Sequence, residues 1–169
     1  LVGESGSGKS MTARSLMGLV RKPGKVSADK LHFMGDDLLA YSPKQWNQLR
    51  GKTISMVLQD PRYALNPVKT IYQQVEETVK LHQKLSHKER HALITETLLS
   101  VGLPEQSISR YPGELSGGMG QRAMIAIALI NNPTVLIADE PTSALDAQLR
   151  HQILELIITQ CAQRDMALL

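Results

Sequence analysis

Cysteine, phenylalanine and tryptophan occur once each in this 169-residue sequence, and aromatics together make up 4% of it. The lone Cys161 excludes an internal disulfide, and no Cys/His spacing suits a zinc or iron–sulfur site. A reducing, cytosolic setting is expected, with Cys161 as a small packing residue. Charge of one sign never accumulates: 19 Lys and Arg stand against 16 Asp and Glu, a net +3, and no run of five or six like charges marks a nucleic-acid arm. Long hydrophobic runs are also missing. The nearest, residues 123–130, falls well short of the roughly 20 residues a bilayer crossing needs, and it halts at Asn131-Asn132-Pro133. With no leader pattern at the start, any membrane role is expected to come through a partner.

What is present is ordinary for one cored domain: 42% hydrophobic and 21% charged residues. Leu1-Val2 reads as the tail of a buried strand and residues 166–169 as the start of another, so the chain is expected to be a piece of a larger domain. Between them, residues 3–10 fit G-x-x-x-x-G-K-[ST]. In this pattern small residues let consecutive backbone N–H groups curl around phosphates, Lys9 adds a cation and Ser10 offers a hydroxyl to Mg²⁺. A helix over 9–20 would put the phosphate at its N-terminus.

Further along, 26–34 reads as short strand pieces closed by a turn at Gly35-Asp36-Asp37. Ser42-Pro43 reads as the cap and first turn of a short helix through Arg50. The β-rich stretch 53–58 is expected to release Gln59 from a strand into a loop. Residues 68–110 turn helical, with Ile71, Val75 and Val79 on one face and Ser86 with Glu89 as a capping box. Ile94, Leu98 and Val101 then run up to a stop at Gly102. The pair Gly117-Gly118 is expected to open a helix over 119–130, 135–138 is a fully buried parallel strand, and a last helix covers about 147–163.

Two acids, Asp139 and Glu140, leave the end of that strand, where open α/β sheets bind ligands. Asp139 is expected to hold Mg²⁺ through water, and Glu140 to orient or deprotonate a water attacking a γ-phosphate. Ser116-Gly117-Gly118 is a second glycine-bearing helix start. One nucleotide does not need two, but a dimer does if this segment of one subunit covers the nucleotide on the Lys9 loop of the other. His82, His87 and His91 invite a metal reading, because His87 and His91 are four apart on one helix; a solvated helix face explains them as well.

Taken together, these segments resemble the nucleotide-binding domain of ABC transporters over essentially the whole chain. Residues 3–10 resemble the Walker A loop, Gln59 the Q-loop glutamine and 115–122 the signature. Residues 135–140 resemble the Walker B strand with its glutamate, and 143–146 the D-loop. Within the family, Gln59-Asp60-Pro61-Arg62-Tyr63-Ala64-Leu65-Asn66-Pro67 and Tyr111-Pro112-Gly113-Glu114, with Met119 after the glycine pair, look most like ATPases of peptide and nickel importers.

The resemblance implies an α/β fold: a P-loop core with a mostly parallel sheet (1–67 and 112–169), a small antiparallel β region and a helical insert (68–111). It implies ATP and Mg²⁺ as cofactors. Gly3, Glu4, Ser5, Gly6, Ser7, Gly8, Lys9, Ser10, Met11, Gln59 and Asp139 are the expected ATP contacts, and Ser116, Gly117 and Gly118 reach the ATP of a second ATPase subunit. Ser10, Gln59 and Asp139 are the expected metal contacts; Glu140, Gln59 and Asp139 carry hydrolysis. Permease subunits would dock on the helical insert at the cytoplasmic face of the membrane, with an extracytoplasmic solute-binding protein acting indirectly and no nucleic acid involved. The adenine-stacking aromatic and the switch histidine of the family fall outside these 169 residues. A non-transport ATPase of the same fold, of the translation-factor or DNA-repair type, is the alternative; a repair protein would part Walker A from the signature by a long coiled coil, and no sustained heptads occur here.

Overall fold

The computed structural model describes residues 1–4 and 6–169, which fall into two compact units, Leu1–Arg50 and Gly51–Leu169.

In the first unit, helix α1 (Lys9–Leu16) starts directly after Gly8 and is shorter than the 9–20 expected from sequence. It stops because Gly18 takes φ +59, with the Gly18 N–H donating to the Ser15 carbonyl and the Leu19 N–H to the Arg14 carbonyl. This paired terminus needs a left-handed residue. A side chain at Gly18 would collide with the Trp46 ring, whose atoms lie 2.5 Å from where its Cβ would stand. Arg50 completes the stop: its Nε donates to the Met17 carbonyl at 2.7 Å, and its guanidinium lies 5.1 Å from the Trp46 ring centre.

The expected strand pieces over 26–34 reduce to β1 (His32–Phe33), antiparallel to β2 (Asp36–Asp37). Met34 and Gly35, at φ +51 and +93, form the two-residue hairpin turn that leaves no room for a longer ladder. Helix α2 (Pro43–Leu49) carries a full capping box between Ser42 and Gln45. Leu1 and Val2 are not a buried strand tail. They are 69% and 102% exposed and pair with no strand among the described residues.

The second unit holds a three-stranded parallel sheet in the order β3 (Ile54–Val57), β4 (Val135–Ala138), β5 (Ala167–Leu168). Parallel neighbours need long crossovers. From β3 to β4 the chain runs through α3 (Pro61–Ala64), α4 (Ile71–His82), α5 (His87–Ser100) and α6 (Gly117–Leu129); from β4 to β5 it runs through α7 (Ala147–Gln163). Register aligns Val57 with Ala138, so β3 and β4 end level. The expected strand at the end of the chain is present as β5, but its residues are exposed rather than buried; only Met166 before it is covered.

Helix α6 packs against β3, α3, α4, α5 and α7. Its glycine pair lies inside the first turn, not ahead of it, because the Ser116 side chain accepts the Met119 N–H and starts the helix two residues earlier than sequence suggests. Ile71, Val75, Val79, Ile94, Leu98, Val101, Ile125, Leu129 and Leu136 are fully buried in one core. Thr70 with Gln73, and Ser86 with Glu89, start α4 and α5 as capping boxes; α5 ends at Gly102, φ +77, in the same paired terminus as α1. Cys161 belongs to this core, and burial pushes its thiol up, as befits a packing residue. Among the described residues no helix is long and apolar enough to cross a membrane.

Candidate functional site

In the first unit, the glycine loop is shaped by two left-handed residues, Gly6 at φ +82 and Gly8 at φ +94, a conformation L side chains rarely take. The loop closes through Ser7 N–H to the Glu4 carbonyl at 3.2 Å. A side chain at Gly3 would meet the Ser7 hydroxyl at 2.6 Å. Lys9 folds its ammonium back over the loop, donating to the carbonyls of Gly3 at 2.9 Å and Glu4 at 3.0 Å, so a cation sits where the backbone curls. No acid occupies the first turn of α1, leaving the positive end of the helix dipole available to an anion. Ser10 is half-buried one residue into the helix, and Met11 beside it is 51% exposed. Ser5 lies outside the described residues.

The second unit brings together residues 81 apart in sequence. Because β3 and β4 end level, Gln59 and the pair Asp139-Glu140 leave the same edge of the sheet, and Gln59 Nε2 donates to Glu140 Oε2 at 3.4 Å. Asp139 is buried at 8% exposure, its N–H held by the Val57 carbonyl at 3.0 Å; Glu140 is exposed. One acid is thus anchored inside the sheet and the other presented to solvent. Glu140 also adopts φ +46, an uncommon conformation for a side-chain-bearing residue. Its carbonyl accepts from both Ser143 N–H and Ser143 Oγ at 3.2 Å, and Asp146 then caps α7.

Ser116 and Gly117 are exposed at the tip of α6, whereas Gly118 is buried. A Cβ on Gly118 would meet Leu149 of α7 at 2.7 Å, and one on Gly120 would touch Pro61 at 3.3 Å, so these glycines let neighbouring elements approach closely. Sequence reasoning passed over Gln121. It is 1% exposed, and its Nε2 donates to the carbonyl of Pro141, the residue after Glu140. Helical phase could have found it: Gln121 shares a face with Gly118 and Ile125, and a buried amide demands a partner.

Oxygen donors are what Mg²⁺ takes, and Ser10, Gln59 and Asp139 all supply them. Among the described residues no three His, Cys, Asp or Glu gather into a metal cluster. His87 and His91 stack with ring centres 6.5 Å apart on the exposed face of α5.

The pattern of the ABC transporter family matches residues 1–143. The dipeptide transport ATP-binding protein DppD of Escherichia coli is 44% identical over 170 residues, covering 99% of this chain and 52% of that protein. The oligopeptide transport ATP-binding protein AppD of Bacillus subtilis is 44% identical over 172 residues, with 100% and 52% coverage. The chain therefore spans about half the length of the curated relatives it matches. Among solved structures, cbiO1 of Clostridium perfringens, described as part of the ABC transporter complex cbiONQ, superposes at TM-score 0.82 with 28% identity over 99% of this chain and 63% of its own. The ATP-binding cassette MJ0796, in a dimeric post-hydrolysis state bound to ADP and Pi, superposes at 0.78 with 29% identity over 98% of this chain and 70% of its own. Sequence pattern and superposition agree on one conclusion: this chain belongs to the ABC transporter family.

Proposed function

We propose that the whole protein is the ATP-hydrolysing subunit of an ABC importer for peptides, working at the cytoplasmic face of the membrane with a second ATPase subunit and permease subunits. The observation that carries the reading is the meeting of Gln59 with Glu140 just past the end of β4, where Asp139 also stands. A polarisable amide beside an exposed carboxylate is what orienting a water against a phosphate requires. In this reading residues 3–10 cradle the phosphates, with Lys9 pairing their charge and Met11 following in the helix, and Glu140 orients and deprotonates the attacking water. Ser10 and Gln59, with Asp139 through water, would hold Mg²⁺, which when bound neutralises phosphate charge.

Two such domains would face each other head to tail, with Ser116, Gly117 and Gly118 of each covering the nucleotide of its partner. The dimeric state of the MJ0796 cassette supports that arrangement. Residues 68–111 would form the helical insert that receives the permease, with 1–67 and 112–169 as the P-loop core, and a solute-binding protein outside the membrane would deliver cargo. The relatives' names, dipeptide and oligopeptide transport, favour peptides over nickel complexes.

The experiment is uptake of a labelled dipeptide into vesicles carrying the complete importer. ATP-dependent accumulation that disappears with Glu140→Gln supports the reading; accumulation indifferent to that substitution refutes it.

A further inference from the structure

We infer that Gln121 is a positioning residue for Glu140, so that the glycine-tipped end of α6 governs the acid of its own subunit. The inference rests on the role proposed above for Glu140. Three observations on the second unit carry it. First, Glu140 holds φ +46, a conformation that persists in a side-chain-bearing residue only where its surroundings over-determine it. Second, the backbone after Glu140 is pinned at two successive carbonyls: that of Glu140 by the N–H and hydroxyl of Ser143, and that of Pro141 by Gln121 Nε2. Pro141 is itself buried. Third, the donor on Gln121 is buried among packed side chains, where no water can replace the carbonyl it serves.

Gln121 stands one helical turn beyond Gly117 and Gly118. That turn is clamped on both sides, by Leu149 against Gly118 and by Pro61 against Gly120. The next residue, Arg122, donates to the Val101 carbonyl at 2.6 Å and so ties the same turn to the end of α5. A turn of helix moves as a rigid body, so a displacement at Ser116–Gly118 reaches Gln121, and through Pro141 it reaches Glu140. Contact between this tip and a neighbouring subunit's nucleotide would then set the carboxylate on the tip's own chain. This is a route by which one composite site informs the other.

The test uses the complete protein with its partner subunits, and turnover is normalised to nucleotide bound at saturation. Gln121→Met keeps the length and removes the donor. We expect kcat per bound nucleotide to fall by about 10- to 100-fold, the scale of a misplaced catalytic group, with KM for ATP unchanged. Asn131→Leu is the comparison. It removes two backbone anchors at the opposite end of α6, to the Gly51 carbonyl at 2.8 Å and the Thr78 carbonyl at 3.2 Å, and should lower the melting temperature without moving kcat per bound nucleotide.

Equal kcat losses in both variants would make Gln121 merely structural and overturn the inference. Should Gln121→Met fail to fold, Gln121→Asn keeps a buried amide but withdraws it from the Pro141 carbonyl; a kcat per bound nucleotide that stays at the wild-type value there also overturns it. Glu140→Gln, assayed alongside, separates the two levels. If it turns over normally the catalytic role of Glu140 falls; if it is arrested while Gln121→Met is unimpaired, only the present inference falls.

Discussion

Gln59 and Glu140, 81 residues apart, meet amide to carboxylate at 3.4 Å where two neighbouring parallel strands end level. The contact follows from register. With Val57 opposite Ala138, the next residues of both strands must emerge at the same edge, so a glutamine two positions on and a glutamate two positions on are brought within reach. At 3.4 Å the bond is long; the Gln59 amide has a second N–H to donate to a water or a phosphate oxygen, whereas a carboxylate such as Glu140 accepts from a water.

Lys9→Ala should weaken nucleotide binding without unfolding the protein. The ammonium donates to the carbonyls of Gly3 and Glu4, within a loop whose shape is fixed by Gly6 and Gly8 rather than by the lysine. Losing a charge-assisted hydrogen bond to phosphate costs about 1.5–3 kcal/mol, or about 10- to 150-fold in affinity. Titration of wild-type and variant protein with a fluorescent ATP analogue measures it; equal affinities would remove Lys9 from the site.

Ser116→Arg should block hydrolysis while leaving nucleotide affinity in the same subunit nearly intact. The exposed tip of α6 would then carry a bulky cation toward a neighbour's phosphates, and losing the cap on the Met119 N–H costs about 1 kcal/mol of stability. Binding and turnover are measured on the same preparation. A collapse of affinity in isolated monomers would show that Ser116 serves its own subunit's nucleotide and not the partner's.

Acid should loosen the packing of α4 on α5 through Glu76. Lys80 at 2.9 Å, and then Arg90 at 2.8 Å, hold its carboxyl below the usual glutamate range, against the opposing effect of burial. A lowered folded-state value means the stabilisation is complete above the unfolded value and is lost as pH falls through the folded one. Urea midpoints should therefore drop more steeply below about pH 4.5 in wild type than in Glu76→Gln. Parallel slopes for the two proteins would contradict this.

Much of the fold was legible because its signals are local. Ser42-Pro43 and Ser86 with Glu89 are side-chain caps, and their hydrogen bonds close within three residues. The unbroken apolar run of β4 is a parallel strand as expected, although only Leu136 and Ile137 are buried and Val135 and Ala138 are half-buried. What escaped depends on distant contacts. Gly18, inside residues 9–20, is itself a local stop for helix α1, but no property of that stretch announces the Trp46 ring, 28 positions on, that packs against it. The candidate site was legible in its residue types but not in its geometry. The left-handed Glu140 and the bond from Gln121 to Pro141 arise only once α6 is laid against the turn after β4.

In the proposed function, nucleotide would be gripped between two such domains and Glu140 would end the grip by hydrolysis. Light scattering of the complete Glu140→Gln protein, with and without ATP and Mg²⁺, tests it most directly. A stable ATP-dependent pair of ATPase subunits that does not turn over is expected. Subunits that never associate when ATP is added, or a variant that hydrolyses it at the wild-type rate, would contradict it.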